Sequence, residues 1–315
     1  MKTTMLLTMI MALLLLAAPV WAGDPGSATA QFLKTGQGAR PMGMGGAYAG
    51  LAYDVNALYW NPGGLGEAAQ PEILFMHNNN YVDISNQYLG FVYPLEQYGG
   101  TMGVGVTYQD YGDMDRTLIS TATTYTNAGS FEASDLAVAV GYGQRLGGGY
   151  SLGGNLKYIR SKIESENANA FAVDLGLMYR QPNEPLSFGL AIQNLGSKMK
   201  FISQSDKLPL NLKVGAAYSF AGTNELLDGL TFALDLNKPI DNDLLLNAGA
   251  EYWLGDMFAL RLGYDGMNEA GNGMTAGAGF RYQDLEIDYA WVDGGDLDDA
   301  HRISLNFVFG AMTQQ

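Results

Sequence analysis

What most restricts the fold of this chain is a period of two that recurs, segment after segment, from Asp135 to the end. In 171–180, Phe171, Val173, Leu175, Leu177 and Tyr179 alternate with Ala172, Asp174, Gly176, Met178 and Arg180. In 212–220, Leu212, Val214, Ala216, Tyr218 and Phe220 alternate with Lys213, Gly215, Ala217 and Ser219. In 230–237, Leu230, Phe232, Leu234 and Leu236 oppose Thr231, Ala233, Asp235 and Asn237. The pattern returns at 150–158, 258–264, 274–282, 285–291 and 302–309. Successive side chains of a strand point to opposite faces, so each segment has one apolar face and one that carries charge. Lipid outside and a polar lumen inside give a membrane β-barrel this signature.

A soluble antiparallel sheet with one buried face would alternate in the same way. Strand number and connection length decide between the two. About fourteen strands are expected, near 72–78, 86–94, 100–109, 134–144, 149–161, 169–180, 186–195, 209–220, 228–238, 243–254, 257–265, 273–282, 284–292 and 301–309. Most run ~9–12 residues, enough for a tilted crossing, and their number is even, as in bacterial single-chain barrels. The connections 95–99, 145–148, 181–185, 221–227, 255–256 and 283 are mostly short, whereas 110–133, 196–208, 266–272 and 293–300 are longer and polar. Short periplasmic turns and long outer loops alternate in this manner. The expected fold class is all-β: a transmembrane antiparallel β-barrel of about fourteen strands over 69–315.

Residues 1–22 read as a secretory signal peptide, with Lys2 ahead of an apolar run at 5–19 and small residues at Val20 and Ala22 before the cleavage point. That run is shorter than the ~20 residues of a spanning helix. The formal net charge of −15 argues against nucleic acid as a partner. The absence of cysteine excludes disulfides, thiolate chemistry and Cys-ligated zinc. An exported chain with 42 Gly, 19 Tyr, 13 Phe and 4 Trp points to the bacterial outer membrane, with its lipid and lipopolysaccharide as surroundings.

One stretch breaks the period. From 38 to 65, apolar residues fall at Met44, Ala47, Tyr48, Leu51, Val55, Leu58 and Tyr59, a spacing that predicts one or two short amphipathic helices. Asn61-Pro62 and Gly63-Gly64 end that pattern. Gly43, Gly45 and Gly46 suggest a nucleotide loop, but Tyr48 stands where G-x-G-x-x-G needs glycine and no strand precedes it. A barrel of fourteen strands lies between those filled by their own side chains and those that leave a channel. The inward register also carries many glycines, among them Gly153, Gly176, Gly189, Gly215, Gly249, Gly263 and Gly277. Either strand curvature or close approach by another backbone accounts for them. Residues 23–68 are the expected occupant, a short-helix plug in the lumen.

The start of the mature chain carries Phe32-Leu33-Lys34, Gly38-Ala39-Arg40, Met42-Gly43-Met44-Gly45-Gly46-Ala47, Asp54, Ala57, and Tyr59-Trp60-Asn61-Pro62 with Gly64-Leu65. On these residues it resembles the PorV/PorQ family of the fatty-acid-transporter-like barrels. Pro41 and Gly63 depart from the motif. The resemblance implies a fourteen-stranded outer-membrane barrel, in some members serving type IX secretion by shuttling or anchoring exported clients. The plug motif is expected at Arg40, Gly43, Gly45, Gly46, Asp54, Tyr59, Trp60, Asn61 and Pro62, with Arg40 reaching an inward carboxylate.

Catalytic chemistry finds little support. His77 and His301 are expected at opposite ends of the barrel, too far apart to pair. The run 293–299 is an acidic outer loop without calcium-loop spacing. Inward charges such as Asp174, Lys213, Asp235, Glu251, Arg261 and Asp288 alternate in sign, which suggests a mutually paired, wet lumen. No cofactor or metal is expected, and no enzyme. The leading expectation is a role in protein secretion or surface attachment, with secreted clients or secretion components as partners. The alternative is passive passage of hydrophobic solutes, gated by the plug.

Overall fold

The computed structural model describes residues 26–80, 84–121, 124–181, 184–220 and 227–310, so the signal-peptide reading of 1–22 lies outside the described residues. The strands are β1 Glu72–Asn79, β2 Ser85–Leu95, β3 Gly100–Thr121, β4 Thr124–Gly147, β5 Tyr150–Ile163, β6 Glu166–Tyr179, β7 Leu186–Gly196 and β8 Met199–Phe201. They continue with β9 Gln204–Asp206, β10 Asn211–Ser219, β11 Leu230–Pro239, β12 Leu245–Leu254, β13 Phe258–Asp265, β14 Met274–Tyr282, β15 Leu285–Val292 and β16 Ala300–Val308. All but β8 and β9 pair antiparallel with their neighbours into a closed barrel of fourteen strands, sealed where β1 meets β16. Closure leaves no unpaired edge within the bilayer, where no water could satisfy one. The pair β8–β9 is a small separate hairpin in the connection from β7 to β10.

The period-two faces fall as the alternation predicts. Phe75, Leu89, Val104, Leu156, Leu175, Leu234, Leu260 and Leu305 are exposed and form an apolar belt, while their neighbours along each strand turn inward and are buried. Leu234→Arg places a charge in that belt and should cost ~2–4 kcal/mol, measured by a folding titration in lipid vesicles.

By the loop rule, the end bearing the short turns at 96–99, 148–149 and 283–284 is periplasmic and the other end faces outward. Two features depart from the sequence reading. Residues 110–121 and 124–133, expected as part of a loop over 110–133, are instead strand: β3 and β4 continue past the barrel as a paired ribbon, interrupted by bulges between Asp110 and Asp113 and between Asp115 and Thr117. Threonine, isoleucine and tyrosine favour extended backbone even where neither face is buried. His77 and His301, expected at opposite ends, instead lie near each other at the outer end, because closure pairs Asn79 with His301 and His77 with Ile303.

The described chain begins at the outer mouth. Thr29 donates its backbone N–H to Lys207, and Lys34 Nζ lies 2.7 Å from Asp241, both partners in outer connections. From there the chain descends inside the barrel to Glu67, which meets Arg145 near the periplasmic end of β4 at 2.9 Å. Since the native sequence has no cysteine, a maleimide that cannot cross membranes reads this path directly. Ser27→Cys and Ile119→Cys should label on intact cells, and Gly148→Cys only after permeabilisation.

Candidate functional site

Inside the barrel, residues 38–65 form two single-turn helices, α1 (Ala39–Gly43) and α2 (Ala57–Trp60), joined by turns and followed by a 3-10 helix at Pro62–Glu67. Asn61-Pro62 therefore does not end the helical pattern. It redirects it, with the Asn61 side chain accepting from Gly63 N at 3.1 Å as a cap. The apolar residues of the segment are buried on all sides, because wall surrounds it.

Irregular backbone at membrane depth needs partners for its N–H and C=O groups, and here the wall supplies them. Ser304 Oγ accepts from Ala39 N at 2.8 Å, and Asp235 Oδ2 accepts from Tyr48 N and Ala49 N at 3.0 and 2.9 Å. Asn247 donates to Gly45 O at 2.6 Å, Ser187 to Gly50 O at 2.7 Å, Asn155 to Leu58 O at 2.6 Å and Gln193 to Tyr59 O at 2.7 Å. Asn61 Nδ2 donates in turn to Ala49 O and to Leu177 O of β6.

The charged side chains form one connected system. Arg40 grips Glu251 of β12 with Nε and Nη2 at 2.9 and 2.8 Å, and its Nη1 lies 3.5 Å from Asp54. Asp54 also accepts from Tyr48 Oη at 2.7 Å and from Asn56 N at 2.9 Å. Beyond Glu251 stands Arg261 of β13, with Nε 2.6 Å from Glu251 and Nη1 2.6 Å from Asp288 of β15. Glu286 beside it is held by Arg281 at 2.7 Å. The inward charges are thus paired as their signs suggest, but they are buried rather than wet: Asp174, Lys213, Asp235 and Arg261 are each at most 2% exposed.

The remaining motif residues fix the close fit. Gly45 has φ +64°, and a Cβ there would stand 2.5 Å from the backbone N and O of Tyr264. A Cβ at Gly43 would lie 3.1 Å from the Gly277 Cα, and one at Gly46 2.9 Å from Asn247 Nδ2. Trp60 donates through its indole N–H to Gln37 O at 2.8 Å, sits 5.0 Å edge-on to Tyr59, and carries Lys213 Nζ 4.4 Å above its ring. Tyr59 Oη donates to Leu33 O at 2.9 Å, and Pro62 opens the 3-10 helix that runs along β4, β5 and β6.

One side chain that period-two reading cannot assign to the lumen is Asn194, which follows the inward Gln193. The β6–β7 ladder slips between Val173 and Leu175, and Asn194 adopts φ +60°. This bulge turns two consecutive residues inward. Asn194 N donates to Asp174 at 2.7 Å and its Oδ1 accepts from Lys157 at 2.8 Å. A Gly or Asn break in the alternation is the only cue that the sequence offers.

At the outer mouth the segment is tied to Asp241. Burial pushes that carboxyl up, but hydrogen bonds from Lys34 and Gln31 outweigh it and hold the group below the usual carboxylate range. A cavity of about 380 Å³ opens there beneath the outer loops, lined by Lys34, Asn80, Asn242, Asp265, Glu269 and Arg302. It narrows to about 30 Å³ beside Trp60 and Lys213. The acidic run 293–299 is pinned to its neighbouring loop, where Asn272 N donates to Asp293 at 2.6 Å and Asn268 to Asp293 O. Among the described residues no group of three or more His, Asp or Glu could hold a metal ion.

The fold is similar to that of the toluene transporter TbuX of Ralstonia pickettii, with a TM-score of 0.61 and 13% identity over 87% of this chain and 99% of that one. It is similar also to the toluene transporter TodX of Pseudomonas putida, with a TM-score of 0.62 and 14% identity over 87% and 99%. A third is a FadL homologue of Pseudomonas aeruginosa, at 0.56 and 12% over 87% and 98%. At such identities the likeness is one of fold. No curated protein matches the sequence. The closed barrel, its apolar belt and these neighbours make this a bacterial outer-membrane protein. Residues 51–307 match the type IX secretion system membrane proteins PorP/SprF, a span that takes in the whole barrel and the lower half of the lumenal segment. The chain belongs to the PorP/SprF family.

Proposed function

We propose that this protein is a non-enzymatic accessory barrel of type IX secretion, presenting its outer face to secreted clients or to other secretion components. In this reading residues 1–22 are a cleaved signal peptide, 23–68 a permanent plug, and 69–315 the barrel. The observation that carries it is the filling of the lumen. Wall residues hydrogen-bond the segment at Ala39, Gly45, Tyr48, Ala49, Gly50, Val55, Leu58, Tyr59 and Asn61, and two of the gaps beside it measure only about 30 and 10 Å³. Such a lumen offers anchorage more readily than passage. The family match supports the same reading. The finer likeness to PorV/PorQ rests on residues 32–65, and we take it as a shared way of filling the barrel.

The test is a clean deletion of the gene in its source organism. Surface display of proteins exported by the type IX route should fall and return on complementation. Unaltered display would overturn the proposal. The second reading, passage of hydrophobic solutes, is favoured by the outer cavity and by the fold shared with toluene transporters. Saturable binding of toluene or laurate by the purified protein, with display unaffected, would favour it.

A further inference from the structure

We infer that the ribbon projecting from β3 and β4 is a docking edge that accepts an extended, basic-ended segment of a partner protein as an added strand. The inference rests on the outer face being a protein-docking surface and names how the docking occurs. Among the described residues, the ladder above Asp110 on β3 and above Ala133 on β4 joins these two strands only to each other, apart from Glu132 O, which accepts from Glu164 N at 2.9 Å. Away from Glu132 and Thr124, the outward-pointing backbone N–H and C=O groups along the ribbon edges have no ladder partner among the described residues. An isolated two-stranded ribbon is marginal in water and gains by adding strands. Proteins ordinarily blunt such edges with charges, prolines or cover.

This ribbon does the reverse. From Thr117 to Asn127 the sequence has neither a charge nor a proline and is mostly threonine with Leu118, Ile119 and Tyr125. Leu118, Ile119 and Tyr125 are 57%, 77% and 75% exposed, well clear of the barrel's apolar belt. Strand addition supplies affinity through main-chain hydrogen bonds, with alternate side chains setting specificity.

The root of the ribbon sets the polarity of the guest. Asp113 stands directly opposite Glu132 in the ladder, with Asp115 one step further on the same side. Like charges directly across a ladder are destabilising, and among the described residues neither carboxylate forms an ion pair. The nearby Arg116 is engaged by Glu164 instead. A guest strand with lysine or arginine at the end nearest the membrane would relieve that repulsion, and an acidic guest would worsen it.

The experiment uses the full chain in lipid nanodiscs and three fluorescent peptides of alternating threonine and valine. One carries a lysine pair at one end, one a glutamate pair, and one is the lysine peptide N-methylated at alternate residues. The lysine peptide should bind about tenfold more tightly than either of the others. Asp113→Asn with Glu132→Gln should erase the difference between the lysine and glutamate peptides. A variant with 113–132 replaced by a tight turn, which leaves the barrel strands intact, should bind none. Equal binding of lysine and glutamate peptides, N-methylated peptide binding as tight as that of its unmethylated parent, or binding to the ribbonless variant overturns the inference. So does a disulfide dimer formed through Ile119→Cys in the absence of peptide binding, since the occupant would then be a second copy. A display defect on gene deletion that survives such a result leaves the broader secretion reading standing and removes only the strand-addition step.

Discussion

Arg261→Met should cost about 3–5 kcal/mol of barrel stability. The Arg261 side chain is fully buried and joins three carboxylates, at 2.6 Å to Glu251, 2.6 Å to Asp288 and 3.7 Å to Glu286. Methionine fills much the same volume without charge. Glu251 would keep Arg40 and Glu286 would keep Arg281, but Asp288 would lose its counter-ion at 3% exposure. Most of the penalty therefore comes from one stranded buried charge, not from three lost contacts. Asp288→Asn in the Arg261→Met background should recover about 1–3 kcal/mol, as expected for groups in direct contact. Urea titrations of the protein folded into lipid vesicles measure both steps. A loss below about 1 kcal/mol, the value of an exposed pair, would mean that water reaches the charges and the lumen is open.

Gly45→Leu should unseat the lumenal segment while the barrel survives. The new Cβ would meet the Tyr264 backbone at 2.5 Å and the Ala248 carbonyl at 2.7 Å, and neither can rotate away as a side chain could. Overpacking typically costs ~1–3 kcal/mol, and a left-handed backbone adds roughly 1–2 kcal/mol for a residue bearing a side chain. The ladder from β1 to β16 does not depend on residue 45, so the expelled segment leaves an aqueous path behind. Single-channel conductance in planar bilayers should rise well above that of the unaltered protein, with Ser27→Leu, exposed at the outer mouth, as the silent control. Unchanged conductance would show that the segment does not close the lumen.

Much of the barrel was legible because a strand's two faces write themselves into alternate residues. Leu175 and Leu234 face lipid, and Asp174 and Asp235 face inward, as their neighbours foretold. What alternation conveys is direction, not surroundings. Asp235 reads as a wet lumenal carboxylate until two backbone N–H groups are found on it. The ribbon was missed because its residues are polar or β-branched on both sides, and hydrophobic patterning marks only strands that bury something. The two histidines were separated for another reason: closure joins the first strand to the last and pairs His77 with Ile303 and Asn79 with His301, residues far apart in the sequence. In the lumenal segment the spacing of Met44, Leu51, Val55 and Leu58 suggested helix, but between α1 and α2 only turns formed. With wall on every side, apolar residues are wanted all round, so their spacing no longer reports a helical face.

The route of residues 26–68, from the outer mouth down to the periplasmic end, bears on how such a molecule can be made at all. The segment is synthesised before any wall strand, and β16 after all of them. The β1–β16 seam joins the first wall strand to the last, so a wall closed there encloses a segment made before it. Threading a finished barrel would require dragging buried arginines and carboxylates through a space with gaps of a few tens of Å³. The segment is better regarded as a mandrel on which the wall is wound, so that a defect at Arg40 or Asp235 should surface first as slow assembly and loss to periplasmic proteases, before any change in the mature protein is seen.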